Sequence, residues 1–363
     1  MLKFTIKPFD VLFFGGGKPF NIGDTARSIF PPFPHTFAGS ICSKIYHEYK
    51  IDVSQILKAV YGPFLLDEKD GKIYFPKPAD IYTERKESKG LFNLKSVEDS
   101  DFSLFKFKNT NKPSIIEKFP IHKGEEDIGG FEGFISQNGL QKWINGEEVG
   151  KEHIKRFSDI FSYESRVGIR QSVETHTVVS INGLYRVDFL SLKGNWSFIY
   201  YVDFNFDNLK NLQELENEDK VLKFFEQSEK VLKLGGEMRS AYYEVEKVDE
   251  IENILKKPVI EEGGKIKILF LTHSTFSFND PFINLNNMKI ISAIINGYVN
   301  LAIKSNFWGL NNFTKRGIRA GSVIFVEVLD RNLIGNLWFK VFHPYKSGNK
   351  NFIGSNLVIY GKL

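Results

Sequence analysis

The feature that most constrains this chain is a segment rich in glycine and proline that joins a strand pattern to a helix pattern near the N-terminus. Residues 14–43 read F-G-G-G-K-P-F-N-I-G-D-T-A-R-S-I-F-P-P-F-P-H-T-F-A-G-S-I-C-S and hold four of the 13 prolines and five of the 30 glycines. Proline fixes φ and removes a backbone donor, and glycine weakens regular elements, so this segment cannot be the interior of a helix or strand. We predict a shaped loop that sets where the following helix begins.

The elements on either side of this loop follow from hydrophobic periodicity. Residues 2–13 alternate polar and apolar side chains before an apolar end, which predicts a strand. From Thr36 to Tyr49 the apolar residues recur at helical spacing, which predicts a helix with one buried face, and Thr36 or Ser40 is a candidate for its N-cap.

The same reasoning continues beyond a long irregular segment at about 50–162. The Asn182-Gly183 pair predicts a hairpin turn. The patterns after it predict two strands, an amphipathic helix and a further strand, over 184–192, 196–204, 219–234 and 241–248. With 50–162 set aside as an insertion, the first 250 residues follow the order strand, helix, strand, strand, helix, strand of a ferredoxin-like split βαβ unit.

The remainder of the chain is rich in strand patterns and has the appearance of a shorter copy of the same unit. We therefore predict an α+β fold with tandem ferredoxin-like domains. The first domain spans 1–250, with the insertion at about 50–162, and the second, β-rich domain spans 251–363.

Two glycine-rich stretches invite a phosphate-binding interpretation. The first, at 15–20, is not a P-loop, because Lys18 is followed by proline and the required spacing is absent. The second, G-G-E-M-R at 235–239, allows two interpretations. In one, Leu234 ends a helix and Gly235 caps it in the left-handed conformation. In the other, backbone amides and Arg239 form a cradle for phosphates.

The charge is unevenly distributed, which favours two kinds of partner surface. Residues 201–262 hold 9 Lys and Arg against 16 Asp and Glu, whereas residues 301–363 hold 9 against 2. A basic C-terminal part favours a polyanionic partner. Basic residues cluster in three glycine- or β-rich places, namely Lys18 and Arg27, then Arg166, Arg170 and Arg186, then Lys315, Arg316 and Arg319. The third cluster is the strongest signal, and its alternative is a solvated hairpin tip.

Several function classes are disfavoured by composition. The single cysteine, Cys42, excludes a disulfide framework and a cysteine-based zinc site, and the seven histidines lack metal-ligand spacing, so we expect no metal and no cofactor. No signal peptide or membrane span is predicted, and we expect a cytoplasmic protein. His35, beside the glycine loop, is a candidate general base for RNA cleavage, although such a residue more often caps or packs.

An ordered set of motifs resembles a known family. F-D-V-L-F-F, K-P-F and S-I-F-P-P-F-P-H-T-F-A-G-S-I, followed by G-P-F-L, Y-F-P-K-P-A-D, S-R-V-G-I, L-G-G-E-M-R-S-A-Y-Y and I-R-A-G-S-V, occur between residues 9 and 323. Together they resemble the third subunit of the Cmr complex, the type III-B CRISPR effector, in the RAMP superfamily. One departure is that Gly15-Gly16 stand where members often carry a charged pair, so handle contacts made by such a pair are not expected of these two glycines.

The resemblance implies a non-catalytic subunit that binds the 5′ handle of crRNA for antiviral defence. It also implies contacts with the large Palm-domain subunit and with a neighbouring RAMP backbone subunit. On this interpretation the RNA contacts come from Lys18, Arg27, Arg166, Arg170, Gly235, Gly236, Arg239, Lys315, Arg316 and Arg319, with the acidic span 201–262 as a candidate protein-docking face. The alternatives are a RAMP endoribonuclease that processes precursor CRISPR RNA, with His35 as its base, and a protein adaptor without RNA contacts.

Overall fold

The computed structural model describes most of the chain. The described residues are 1–16, 25–53, 56–85, 93–96, 98, 102–104, 118–120, 127–169, 171, 174–178, 184–209, 212–260, 264–274, 288–305, 310–329, 334, 337–342 and 353–363. Within them, the strands form two large antiparallel sheets and four smaller ones. Strands and α-helices are numbered below along the chain.

The first large sheet has eight strands, and every neighbouring pair in it is antiparallel. Their spatial order is β11 (Ile154–Arg156), β10 (Gly133–Ser136), β4 (Lys72–Pro76), β3 (Leu57–Asp67), β14 (Trp196–Phe204), β1 (Leu2–Pro8), β16 (Ser240–Lys247) and β15 (Val231–Lys233).

Two helices cover one face of this sheet, α1 (Pro34–Tyr49) and α5 (Glu218–Gln227). Their apolar residues meet the inward-facing aromatic side chains of β1 and β14. The Phe37 ring of α1 stacks on Tyr200 at 3.8 Å, and Phe225 of α5 meets Phe4 edge-on at 5.0 Å. Buried aromatic pairs of this kind add to the stabilisation from apolar burial and fix both helices on the sheet.

The other face of the sheet packs against the second large sheet. This has five antiparallel strands in the order β18 (Met288–Ile294), β21 (Val323–Val328), β17 (Lys265–Phe270), β23 (Leu357–Lys362) and β22 (Lys340–Val341). Ile199 and Tyr201 of β14, which alternate with the helix-facing Tyr200, share one apolar cluster with Ile266 and Tyr360. The N-terminal and C-terminal parts therefore share a continuous core.

A buried charged group lies in this shared core. The carboxylate of Asp80 accepts hydrogen bonds of 2.9 and 3.0 Å from the Trp143 indole N–H, and the ammonium of Lys267 lies 3.6 Å from it. Lys267 also lies over the Trp143 ring, at 4.4 Å from its centroid. Buried charges are costly unless they are paired in this way.

The smaller sheets extend from this framework. One joins β12 (Phe161–Ile169), β13 (Leu184–Leu192) and β2 (Thr25–Arg27), and β2 runs parallel to β13. A second is the hairpin of β19 (Tyr298–Ser305) and β20 (Leu310–Ile318). The other two sheets consist of β5 (Ile81–Arg85), β6 (Asn93–Ser96) and β9 (Asp127–Gly129), and of β7 (Phe102–Leu104) and β8 (Lys118–Pro120).

The remaining helices are short. The α-helices are α2 (Gln137–Asn145), α3 (Phe157–Ile160) and α4 (Phe206–Leu209), and 3₁₀ turns span Lys151–His153 and Ile251–Asn253. In the described part of the chain, no helix combines the length and apolar character needed to cross a membrane.

Several predicted elements are confirmed. The strands predicted at 184–192 and 196–204 have the expected bounds in β13 and β14. The first helix begins two residues earlier than predicted, because Pro34 occupies its first turn and Phe33 is the N-cap. Thr36 and Ser40 are therefore inside the helix, and the prediction that one of them caps it is wrong.

The helix predicted at 219–234 is too long. Helix α5 ends at Gln227, and Val231–Lys233 forms strand β15, which pairs with the start of β16. Pairing at the sheet edge here overrides the helical spacing of Val231 and Leu232. Gly235 consequently follows a strand, so its interpretation as a helix C-cap is also wrong, although it has the left-handed φ of +81°.

The segment predicted as an insertion is partly built into the first large sheet. Residues 57–76 and 133–156 supply β3, β4, β10 and β11, and β3 is the neighbour of β14. Strand β13, expected in that place, belongs to the separate sheet with β2 and β12. The alternating pattern of β13 predicts a strand but not its sheet. The Asn182-Gly183 turn lies outside the described residues.

Candidate nucleic-acid interface

A large cleft separates the β2–β12 region from the β19–β20 hairpin. Its volume is about 1320 Å³, and both the N-terminal and C-terminal parts of the chain line it. The lining side chains are mainly aromatic, basic or hydroxyl-bearing, and include Phe13, Thr25, Arg27, Ser28, Phe30, Glu132, Phe157, Phe161, Ser162, Tyr163, Glu237, Tyr298, Asn300, Arg316 and Arg319. Gly15 and Gly16, at the start of the glycine- and proline-rich segment 14–43, also line the cleft.

On the N-terminal wall, Arg27 stacks on an aromatic ring. Its guanidinium lies 4.0 Å from the ring centroid of Tyr163, whose hydroxyl donates a 3.1 Å hydrogen bond to the carbonyl of Ser28. Burial raises the pKa of Tyr163, while the nearby Arg27 and Arg319 charges act in the opposite direction. Arg27 is exposed and lines the cleft, so its charge is accessible there while its guanidinium packs on the Tyr163 ring.

Backbone hydrogen bonds of the two residues after Arg27 fix its position beside β13. The Ser28 N–H donates to Asp188 O at 2.9 Å, and its hydroxyl accepts from the Phe14 N–H at the same distance. Ile29 N–H donates to the carbonyl of Phe14. These bonds hold β2 beside β13 and aim its side chains into the cleft.

The C-terminal wall carries a second pair of the same kind. The Arg316 guanidinium lies 4.2 Å from the ring centroid of Tyr298, and Tyr298 is 48% exposed. Arg316 on β20 is opposite Asn300, two residues from Tyr298 on β19, so the stack joins diagonal neighbours of the hairpin. The basic cluster predicted as a possible hairpin tip thus lies within and just after β20, and the tip interpretation is wrong.

Arg319 is held more tightly than the other two arginines. It donates from Nη1 to the Glu132 carboxylate at 2.5 Å and from Nη2 to the carbonyl of Phe30 at 3.1 Å. Its side chain therefore joins the C-terminal part to the proline loop before α1. It also lines the cleft, but with part of its charge already compensated.

Arg166 and Arg239 form a separate group outside the cleft lining. Both donate to the Asp10 carboxylate, at 3.1 and 3.2 Å, and both lie over the Phe189 ring, at 5.4 and 4.5 Å from its centroid. The hydrogen bond from Arg166 holds the pKa of Asp10 below its ordinary value. Arg166 also pairs with Glu164. The structure thus brings these two predicted site residues together with each other, but not with Arg27 or Arg316.

The two glycines before Arg239 form a tight turn between β15 and β16. A Cβ on Gly235 would overlap the carbonyl oxygen of Phe13, and the Gly236 N–H donates to that oxygen at 2.8 Å. The Gly236 amide is therefore engaged inside the protein. Of the other predicted contact residues, Lys18, Arg170 and the side chain of Lys315 lie outside the described part of the chain.

A comparison with protein-family models shows which family this chain belongs to. The family model described as CRISPR-associated protein (Cas_Cmr3) matches residues 4–363. The chain belongs to the Cas_Cmr3 family. The resemblance inferred from the ordered motifs is thereby confirmed over nearly the whole length.

Solved structures share the fold of this Cas_Cmr3 family member. One is a chain of the Type III-B Cmr-beta bound to cognate target RNA and AMPPnP, with a TM-score of 0.54 at 17% identity, covering 92% of this chain and 87% of that one. Another is a chain of the Type III-B Cmr-beta bound to cognate target RNA, with a TM-score of 0.51 at 17% identity, covering 92% and 88%. No curated protein matches the sequence.

His35, the candidate base of a nuclease, lies apart from the cleft of this Cas_Cmr3 chain. Its ring stacks on Phe33 at 5.2 Å in the first turn of α1, and burial lowers its pKa to about 4. It is not among the residues that line the cleft. A base this weak, held outside the cleft, is poorly placed to accept a proton near neutral pH.

Sequence reasoning missed the aromatic and acidic residues of the cleft. Tyr163 and Tyr298 are unremarkable in a chain with 14 tyrosines, and only their pairing with arginines distinguishes them. Glu132 stands between Gly130 and Gly133, and Glu237 directly follows the Gly235-Gly236 pair. The glycines next to these acidic residues were the only available signal.

Proposed function

We propose that this chain is a non-catalytic subunit of a type III-B CRISPR effector and that its cleft binds the single-stranded 5′ handle of crRNA. The observation that carries the proposal is the pair of arginine–tyrosine stacks, Arg27 on Tyr163 and Arg316 on Tyr298, on the walls of one cleft. Single-stranded RNA is recognised by stacking bases on aromatic rings or guanidinium planes and by cationic contacts to phosphates.

The size and make-up of the cleft agree with an extended polar ligand. It is open, is lined by both polar and apolar side chains, and receives residues from both large parts of the fold. Membership of the Cas_Cmr3 family and the shared fold with chains of Type III-B Cmr-beta bound to cognate target RNA support the choice of RNA over other anions.

The strand order supports the tandem ferredoxin-like architecture as part of this proposal. In the first unit β1, α1, β3, β14, α5 and β16 follow one another along the chain, and the strands lie in the order β3, β14, β1, β16. The second sheet repeats this order with β18, β21, β17 and β23. On this basis the first unit is a split βαβ unit and the second is a reduced copy of it.

Protein docking is the second part of the proposal. The acidic span 201–262 contributes α5 and the turn that precedes it, where Glu216, Asp219 and Glu226 are exposed. Lys220 and Lys247 compensate Glu216 and Asp219, which leaves a face of mixed but mainly negative charge. Such a face suits a basic surface on the large Palm-domain subunit or on the neighbouring RAMP backbone subunit.

Binding of handle RNA at increasing salt tests the proposal. The chain, alone and assembled with its large Palm-domain subunit, is titrated with handle RNA at several salt concentrations. A linear fall of log affinity with log salt is expected, because each phosphate contact releases counterions. Lack of binding by the assembled pair would overturn the proposal in favour of a protein adaptor.

The nuclease alternative has its own test. Purified protein is incubated with repeat RNA without metal, beside the His35→Ala variant. We expect no site-specific product from either protein. Site-specific cleavage that disappears in the variant would replace the scaffold function with that of an endoribonuclease.

A further inference from the structure

The turn between β15 and β16 holds an unusual backbone at the edge of the cleft. Glu237 and Met238 are consecutive non-glycine residues with positive φ, +55° and +52°. Left-handed conformations are uncommon for such residues, and two in succession require the surrounding structure to hold them. Both side chains are exposed, so neither conformation is explained by burial of an apolar group.

Contacts on both sides fix this turn. Before it, Gly236 donates to the carbonyl of Phe13, and no Cβ fits at Gly235. After it, Arg239 is bound to Asp10 and lies over Phe189, while its carbonyl accepts from the Leu234 N–H at 2.9 Å. The predicted cradle residues Gly235, Gly236 and Arg239 therefore act as the support of the turn.

The side chain that this support presents to the cleft is an acidic one. Glu237 lines the cleft together with Arg27 and Arg316. The other lining carboxylate, Glu132, is bound to Arg319, whereas no described residue forms a hydrogen bond or ion pair with the side chain of Glu237. A carboxylate that is not paired with a cation among the described residues opposes phosphate binding at its own position, so it favours a ligand group with N–H donors.

We propose that Glu237 is a specificity-determining residue that selects guanine within the cleft. This rests on the proposed function, that the cleft binds single-stranded RNA. An ionised carboxylate only accepts hydrogen bonds. Guanine presents two adjacent donors, N1–H and the 2-amino group, which match the two carboxylate oxygens. The uracil edge presents one N–H between two carbonyl oxygens, which the carboxylate repels.

The contacts on both sides of the turn hold the backbone of Glu237 in place. A hydrogen-bonding site discriminates strongly only when its polar group is held in place, since a mobile one can avoid the wrong partner. Stacking on Arg27 or Arg316 tolerates any base. Glu237 then adds the selection that stacking cannot provide.

Replacement of guanosine by inosine provides a test, because inosine lacks only the 2-amino group. The full chain, assembled with its large Palm-domain subunit, is titrated with a short single-stranded RNA of alternating guanosine and adenosine and with the same RNA containing inosine. We expect the wild type to bind the guanosine RNA about tenfold more tightly, as the loss of one hydrogen bond to a charged group predicts. Glu237→Gln should reduce this ratio to below about twofold, because the amide no longer offers two acceptors.

The matched control is Glu148→Gln, which removes the same charge from an exposed position outside both the cleft lining and the acidic span 201–262. It should keep the wild-type ratio. Salt-dependent binding of both RNAs with equal affinity by the wild type would overturn the selection by Glu237 but leave the proposed function intact. An unchanged ratio of the two affinities in Glu237→Gln would also overturn the selection by Glu237 and leave the proposed function intact. Absence of binding to any RNA would overturn both.

Discussion

The imidazole of His273 donates a hydrogen bond from Nε2 to the carbonyl oxygen of Pro31, 2.8 Å away. Its Nδ1 accepts from the Ala320 N–H at 3.1 Å, so the ring is the neutral tautomer with its proton on Nε2. The ring is buried, and Pro31 belongs to the loop that leads into α1. His273 thus ties the C-terminal sheet to the loop that forms one wall of the cleft.

This contact predicts a loss of stability in mild acid. Burial, with a smaller contribution from the Arg319 charge, lowers the pKa of His273 to about 3. The unfolded chain takes up a proton at about pH 6.5 and the folded chain only near pH 3. The stabilisation is therefore complete above pH 6.5 and is lost as the pH falls from there towards 3. His273 alone should lower the free energy of unfolding by about 2 kcal/mol between pH 6.5 and pH 5.

Urea unfolding at a series of pH values measures this effect. His273→Gln should be less stable at pH 7 and should show a flatter dependence on pH. His47→Gln, at an exposed position on α1, is the matched control and should retain the wild-type dependence. An identical pH dependence in wild type and His273→Gln would show that His273 is not the responsible group.

The turn after Arg319 predicts a second stability effect. Gly321 has a φ of +86°, and a Cβ there would lie 2.6 Å from the Lys77 carbonyl oxygen. Gly321→Ala should cost about 2 kcal/mol or more, because the strain adds to a backbone overlap. Gly39→Ala, in the interior of α1 with no atom near its Cβ position, should instead stabilise the protein by about 0.5–1 kcal/mol. Thermal unfolding that shifts in the same direction for both variants would contradict this account.

The buried Asp80–Lys267 pair predicts a non-additive result. Asp80→Ala should cost about 3–5 kcal/mol, because it leaves Lys267 and the Trp143 N–H without their acceptor. The double variant Asp80→Ala with Lys267→Met should recover part of that loss, since it also removes the buried charge that Asp80→Ala leaves unpaired. Chemical unfolding of the single and double variants measures the coupling, and strictly additive losses would show that the pair is not coupled.

The two stacked arginines predict a specific effect on RNA binding. Arg27→Ala with Arg316→Ala should weaken binding of handle RNA roughly tenfold or more and reduce the salt slope by about 1.4, as the loss of two phosphate contacts on a single strand implies. Lys256→Ala with Lys257→Ala removes the same charge away from the cleft lining and should change neither quantity appreciably. Equal losses in both double variants would indicate a general charge effect.

Local sequence patterns were sufficient for elements whose stability is mainly local or alternating. The helix at α1 and the strands β13 and β14 follow from spacing alone. The spacing does not predict which sheet a strand joins, because β3 and β13 have similar apolar patterns and only long-range pairing distinguishes them. The same long-range pairing converted Val231–Lys233 from the predicted helix end into a strand.

The cleft was predictable only in part. Arg27, Arg316 and Arg319 were found from charge and neighbouring glycines, and the structure brings them together. Arg166 and Arg239 carry the same signal in the sequence, but Asp10, far from them in the chain, compensates both. Charge clusters therefore identify candidates, whereas the partner that neutralises a charge becomes visible only in the folded chain.

Photocrosslinking of the handle RNA tests the central claim most directly. Handle RNA with a photoreactive nucleotide at successive positions is bound to the chain assembled with the proposed partner, the large Palm-domain subunit. The complex is then irradiated, and the cross-links are mapped by mass spectrometry. Cross-links at Tyr163 and Tyr298, reduced by the Arg27→Ala and Arg316→Ala double variant, are the predicted result. Cross-links confined to the groove around Lys256 and Lys257, with none in the cleft, would contradict the account.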